Sequence, residues 1–294
     1  MIPGQFEYAR PANVAEALRI LKDNEGSAKV LSGGYSLLPL LKLRLAQPEL
    51  LVDIRDLDGM DGISETDDEL RIGARATHAQ IVADTRIAGH YPLLHEAASG
   101  IGDPQVRNWG TIGGSCAHAD PSSDWPAVLL ASRASLVCRS QAGERTIAAR
   151  DFFLDTFQTA IEPSELLTEI HIPRTTAHSA GAYEKLERRA GDFATVGAAV
   201  LLELSDDGRI SKAGIGLTAV AETPFAAIGA EAALVGQMPS EAAFRAAGAA
   251  AATQSRPVTD SHGPAEYKRA MAAEITVRAL RRAGERAMAG STAR

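Results

Sequence analysis

The chain has 294 residues, 45% of them hydrophobic and 23% charged, and a formal net charge of −7. That length exceeds the usual single core, so two domains of an ordinary globular class are expected. The acidic balance argues against a nucleic-acid partner or an anionic lipid surface, and no apolar run is long enough to predict a membrane-crossing helix.

The opening Met1-Ile2-Pro3-Gly4-Gln5-Phe6 lacks the basic region and apolar core of a signal peptide, so a cytoplasmic protein is expected. Asn13 to Asn24 reads as a helix, with Val14, Ala17, Leu18 and Leu21 on one face and Asn13 as its N-cap. A short strand, Lys29 to Leu31, runs into Ser32-Gly33-Gly34-Tyr35-Ser36. Leu37 to Leu43 is helical, and Leu50 to Ile54 and Glu69 to Ile72 are strands. Thr77 to Ala83 and Leu93 to Ser99 are short helices. Val106 to Asn108 leads into a second glycine pair, Thr111-Ile112-Gly113-Gly114-Ser115. Trp125 to Ala131 is apolar and helical, and Leu136 to Cys138 pairs with Arg145 to Ile147 in a hairpin around Ala142-Gly143-Glu144. Leu166 to Ile172 alternates as a strand and stops at Pro173.

Near residue 175 the composition changes. Thr175 to Gly181 is small and polar, a linker that divides the chain into residues 1–175 and 176–294. Ala182 to Leu186, Thr195 to Leu204 and Ile210 to Val220 then read as strands, the last two joined through an Asp207-Gly208 turn. Helices follow over Phe225 to Val235, Ser240 to Ala252 and Pro264 to Met288, with Ser240 as a cap and Pro264 in a first turn. An antiparallel sheet with helices gathered after it is an α+β pattern.

The glycine pairs carry the chemistry. A Gly-Gly step lets the backbone take φ > 0 and turn successive N–H groups inward, and such a nest beside a Ser or Thr hydroxyl suits a phosphate oxygen. Two nests predict two linked phosphates held from both sides. There is no GxGxxG after the first strand and no GxxxxGK[ST], so neither single-nest nucleotide motif applies. What remains is a pyrophosphate held between two segments, a group that dinucleotides such as FAD carry. Cys116 and Cys138 are the only cysteines, too few for an iron–sulfur cluster, and the histidines show no ligand spacing. No metal is expected, and Cys116 reads as a small buried residue.

The residues then reach a family. The stretch Lys29 to Lys42 resembles the first FAD-binding segment of the flavoprotein subunits of molybdenum hydroxylases. Ile101-Gly102-Asp103-Pro104-Gln105-Val106-Arg107-Asn108-Trp109-Gly110-Thr111-Ile112-Gly113-Gly114-Ser115 resembles the second, as does its continuation to Ala127. The likeness extends to Met1-Ile2-Pro3-Gly4, Thr159 to Leu167 and Gly263 to Tyr267, and within the family it is strongest to the medium subunits of the CO dehydrogenase type.

The resemblance implies an α+β chain. Its first domain is a two-lobed FAD-binding domain of the vanillyl-alcohol-oxidase-like type, and its second a small antiparallel-sheet α+β domain. It implies non-covalent FAD and no catalytic residue on this chain. Molybdenum–pterin belongs to a large partner subunit and the 2Fe–2S clusters to a small one, in a dimer of heterotrimers that passes electrons to quinone or another acceptor. Association with the inner face of the cell membrane runs through those partners. The same role in an N-heterocycle, aldehyde or xanthine-type hydroxylase is the alternative, and a structural subunit that has lost FAD is a third reading.

By position, the resemblance places Ser32, Gly33, Gly34, Tyr35 and Ser36 around one side of the pyrophosphate, flanked by Leu31 and Leu37. Gly110, Thr111, Ile112, Gly113, Gly114 and Ser115 take the other side. Asp124 and Asp120 are the candidates for ribose hydroxyls, and Lys29 for a position near flavin or adenosine. Lys185 is the cation for reduced flavin, Phe193 the aromatic over the ring, and Ile101 and Ile161 apolar flavin neighbours. Phe193 stands where the CO dehydrogenase type commonly has Tyr. Ser115 replaces the commoner Asn, Tyr35 a smaller or different polar residue, and His118 is a further departure within the cofactor-binding stretch.

Overall fold

The computed structural model describes residues 2–292. The chain is α+β, with two larger sheets and the two-stranded hairpin Phe153–Asp155/Gln158–Thr159 in its first unit and one sheet in its second. The first sheet is parallel: Leu50–Asp53 lies between Glu7–Ala9 and Ala28–Leu31. Every residue of that central strand is buried, as a strand flanked on both edges and covered by helices requires. Helix Val14–Asp23 packs Ala17, Leu18 and Leu21 inward, and Asn13 caps it by accepting from Glu16 N–H at 2.9 Å. The second sheet is five-stranded and antiparallel, in the order Ile63–Glu65, Glu69–Gly73, Leu166–Pro173, Ser135–Ser140, Gly143–Ala148.

The second unit is a four-stranded antiparallel sheet of Ser179–Leu186, Val196–Leu204, Ile210–Thr218 and Phe225–Ala226. Helices Ile228–Leu234, Glu241–Gln254 and Ala265–Thr292 follow it. Its apolar side chains form a cluster separate from that of the first unit, although Tyr183 and Ala199 belong to the first. The units are pressed together through helix Asp124–Ala131, buried on all sides. Gly214 and Gly216 of the facing strand make this possible: a Cβ there would lie 1.9 and 2.0 Å from the carbonyl oxygens of Ala131 and Ala127. Glu96 adds a polar tie, accepting from Arg282 and Arg286 at 2.5 Å each and from Tyr183 N–H at 2.9 Å.

Several segments differ from the sequence expectation. Residues 104–109 form a helix, Pro104–Trp109, started by Asp103, which accepts from Val106 N–H. The second glycine pair lies inside another helix, Ile112–His118. The expected linker is shorter, because the strand already begins at Ser179 with Ala180 buried. Phe225–Ala226 is an edge strand, so the next helix starts only at Ile228. Three-residue strands such as Glu7–Ala9 are too short to show a period.

Candidate functional site

The two glycine segments, far apart in sequence, meet in space. Ser32 Oγ and Thr111 Oγ1 lie 3.0 Å apart. Gly33 sits against the carbonyl of Trp109, where a Cβ would come within 2.1 Å of the oxygen. Only glycine permits that approach, so the join is written into the sequence at Gly33.

The segments are not equivalent. Gly34 takes φ +82°, as the nest reading requires. Among the described residues nothing in the chain accepts the N–H groups of Gly33, Gly34, Tyr35 or Ser36. In the second segment Ile112 N–H donates to Ala76 O at 3.0 Å and Gly113 N–H to Ala74 O at 2.9 Å. Gly114 N–H donates to Thr111 Oγ1 at 3.1 Å. Gly113 and Gly114 are therefore helical residues with engaged N–H groups, a correction to the symmetric nest. A Cβ on Gly113 would meet Ala74 Cβ at 2.5 Å, which makes it a packing glycine. Gly110 likewise abuts His78, whose Nε2 would lie 2.8 Å from an added Cβ.

The hydroxyls divide the same way. Thr111 faces Ser32, whereas Ser115 Oγ pairs with Ser123 Oγ at 2.6 Å. Leu31 and Ile112 are buried, so their side chains belong to the core and only their backbones border the segments. Leu37 opens the helix Leu37–Lys42, and Tyr35 is 43% exposed.

At one end the second unit closes in. Gly191 takes φ +82° and approaches so near to Gly102 that a Cβ would meet its carbonyl oxygen at 2.4 Å. This sets the loop carrying Phe193, 51% exposed, beside Ile101, which is half-buried. Lys185 Nζ donates to Gly100 O at 3.1 Å and to Asp124 Oδ2 at 3.3 Å, and lies 3.2 Å from Glu187. Tyr183 Oη donates to the other Asp124 oxygen. Asp124 is 6% exposed, and burial raises its pKa against the pull of Lys185. Burial and that carboxylate drive the Tyr183 phenol well above its usual range. Asp124 and Lys185 thus form an inter-unit tie first, a function unseen in the sequence. Each carboxylate oxygen has two lone pairs, so capacity for a hydroxyl donor remains.

The other end holds Lys29, His118 and Asp120. Lys29 is exposed on its strand, and its charge acts on His118. Burial depresses the His118 pKa, opposed by Asp120, whose Oδ2 lies 4.0 Å from its Nε2. Asp120 Oδ1 accepts from Ser122 N–H at 2.8 Å. Ile161 is half-buried and follows the strand Gln158–Thr159, which packs on helix Ile112–His118.

His78 was not legible as a site neighbour. It is buried, accepts from Trp125 Nε1 at 3.1 Å through Nδ1, and gives its backbone N–H to Gly110 O at 3.0 Å. Burial pushes its pKa down to about 4. The signal was present in Thr77-His78-Ala79-Gln80, a capping box that places a ring against the second segment. Both cysteines are buried thiols, and no group of His, Cys, Asp and Glu among the described residues is arranged for a metal. Nor is any described helix long and apolar enough to cross a membrane.

Residues 4–175 match the family described as FAD binding domain in molybdopterin dehydrogenase. Residues 181–283 match the CO dehydrogenase flavoprotein C-terminal domain. The chain is an FAD-binding subunit of the molybdenum hydroxylase family. This flavoprotein is 43% identical to the carbon monoxide dehydrogenase medium chain of Afipia carboxidovorans, over 98% of its own length and 99% of the relative's. It is 38% identical to the 6-hydroxypseudooxynicotine dehydrogenase complex subunit alpha of Paenarthrobacter nicotinovorans, over 98% and 97%. Its fold superposes on a chain of reconstituted CO dehydrogenase from Oligotropha carboxidovorans with a TM-score of 0.95, at 43% identity, covering 97% of this chain and all of that one. The donor set fits the cofactor: unpartnered N–H groups and paired hydroxyls at the join suit a pyrophosphate.

Proposed function

We propose that this flavoprotein holds FAD across its two glycine segments and relays electrons within a CO dehydrogenase-like molybdenum hydroxylase. The observation that carries the reading is the join itself: the Ser32–Thr111 contact beside the acceptor-free N–H groups of residues 33–36. Those groups and the two hydroxyls bind the pyrophosphate. Ile101 and Phe193 border the flavin ring and limit water, Lys185 and Asp124 orient its polar edge and ribityl chain, and Asp120 accepts a ribose hydroxyl. The glycines of the second segment act by close packing, which fixes where Thr111 stands. FAD, when bound, couples pairwise and single electron transfers.

The expected partners are a large molybdenum–pterin subunit, where substrate is oxidised, and a small subunit with 2Fe–2S clusters, in a dimer of heterotrimers. Electrons arrive from those clusters and leave to quinone or a similar acceptor. Residues 1–175 form the FAD-binding domain and 176–294 the C-terminal domain that closes over it. Full-length likeness to the Afipia medium chain favours CO as the substrate of the complex. Likeness to a subunit of 6-hydroxypseudooxynicotine dehydrogenase keeps a second reading, the same relay in a heterocycle or aldehyde hydroxylase. Purification with co-expressed partners tests both. Stoichiometric FAD that CO bleaches and a quinone reoxidises supports the first reading, and bleaching only by a heterocycle or aldehyde supports the second. A complex without FAD sinks the proposal.

A further inference from the structure

Strand Ala28–Leu31 and helix Ile112–His118 define a strip running away from the phosphate join. At one end Ser32 meets Thr111 at 3.0 Å. At the other, the helix ends at His118, whose Nε2 lies 4.0 Å from Asp120 Oδ2. Three residues of extended chain from Ser32 back to Lys29 span roughly 10 Å. Helix Ile112–His118, of seven residues, also spans roughly 10 Å. The two estimates agree, and a ribosyl group with a purine fills that length.

Phe157 stands at the far end. It lies between the strands Phe153–Asp155 and Gln158–Thr159, with φ +57°. A left-handed backbone is strained for so bulky a residue, and such strain collects at ligand clamps. Its N–H donates to Ala119 O at 3.1 Å, and Ala119 is itself left-handed, at φ +51°. One backbone hydrogen bond therefore joins two left-handed residues. The ring lies on His118, with centroids 5.0 Å apart and planes 36° apart. Yet Phe157 is 57% exposed, so much of its ring stays open to solvent. A core role would bury this side chain, and an idle turn would favour Gly or Asn at such a φ.

We propose that Phe157 is the stacking platform for the adenine of the bound dinucleotide, an assignment that rests on the FAD reading above. The purine lies on the open face of the ring, His118 supports the opposite face, and Asp120 meets the adenosine ribose between purine and phosphates.

The test is equilibrium titration of the flavin-depleted full-length chain with FAD, ADP and FMN, since FMN lacks the adenylate half. Phe157→Ala is expected to weaken FAD and ADP roughly 5- to 100-fold and leave FMN within about twofold. Phe157→Gly is expected to weaken them equally while keeping or raising Tm, because glycine accepts the left-handed φ. Phe157→Tyr should keep wild-type affinity. Unchanged FAD and ADP affinity in the Ala and Gly variants, or equal weakening of FMN, overturns the proposal. Wild-type protein that binds FAD but not ADP overturns the adenine platform alone. Wild-type protein that binds neither removes the FAD reading and this proposal with it.

Discussion

Replacing Gly33 by Ala probes the join on which the proposed cofactor site depends. The added methyl would lie 2.1 Å from the Trp109 carbonyl oxygen, 2.8 Å from its carbon and 3.0 Å from Gly110 Cα. All three atoms are main chain, so no rotamer change relieves the clash. Ordinary contact begins at 3.4 Å, and the segments must therefore part by about 1.3 Å. The Ser32–Thr111 separation, now 3.0 Å, would then pass the limit of a hydrogen bond. Overpacking of this kind costs about 1–3 kcal/mol, a fall in Tm of about 2–10 °C for a chain of this size. A displaced phosphate also forfeits a hydrogen bond of about 1.5–3 kcal/mol, which weakens FAD roughly 10- to 100-fold. Flavin-to-protein ratios and thermal melts of matched preparations measure both effects. Gly26→Ala is the control: φ is +85° with nothing within 4 Å, so it strains the backbone and leaves FAD content unchanged. Full FAD content in Gly33→Ala, with Tm within a degree of wild type, would refute the reasoning.

Asp124→Asn removes a buried charge from Lys185 and is expected to cost roughly 3 kcal/mol in chemical denaturation, tempered because Glu187 remains 3.2 Å from the ammonium. An unchanged midpoint would show that the tie between units carries no weight. His78, held neutral by burial with a pKa of about 4, links stability to acid. The unfolded ring titrates near 6.5 and binds more protons below that pH, so stability is full above 6.5 and falls as pH drops towards 4, by about 3 kcal/mol. His78→Gln keeps an acceptor for Trp125 and should remove this part of the slope; superimposable pH profiles would contradict it. Phe193→Ala, at an exposed position, should shift Tm by less than about a degree. Its expected signature is slower or faster quinone-linked reoxidation with substrate-side reduction unchanged, and identical rates on both sides would remove Phe193 from the flavin face.

What the sequence made legible follows from how local each signal is. Helix Val14–Asp23 and the strands Val196–Leu204 and Ile210–Thr218 carry full periods and local caps or turns, and they form where expected. The segment 101–118 did not read correctly, because its helices are short and their glycines mimic a loop. The physical reason lies at Gly113: it packs on Ala74, a residue distant in sequence, so only the folded chain shows why a side chain is forbidden there. Gly33 obeys the same logic against Trp109. Both glycine pairs therefore serve contact between segments, and only the first also presents free donors. The buried tie of Asp124, Tyr183 and Lys185 was hidden for a related reason, since a charged residue read alone looks solvated until its partner from the second unit is beside it. Phe157 is the opposite case. Nothing in Thr156-Phe157-Gln158 marks it, and its strain, its exposure and its contact with His118 exist only once the hairpin and the glycine helix are assembled. Of the two glycine pairs, only the first presents free donors as its spacing suggests, whereas residues placed by long-range packing emerge only from the fold.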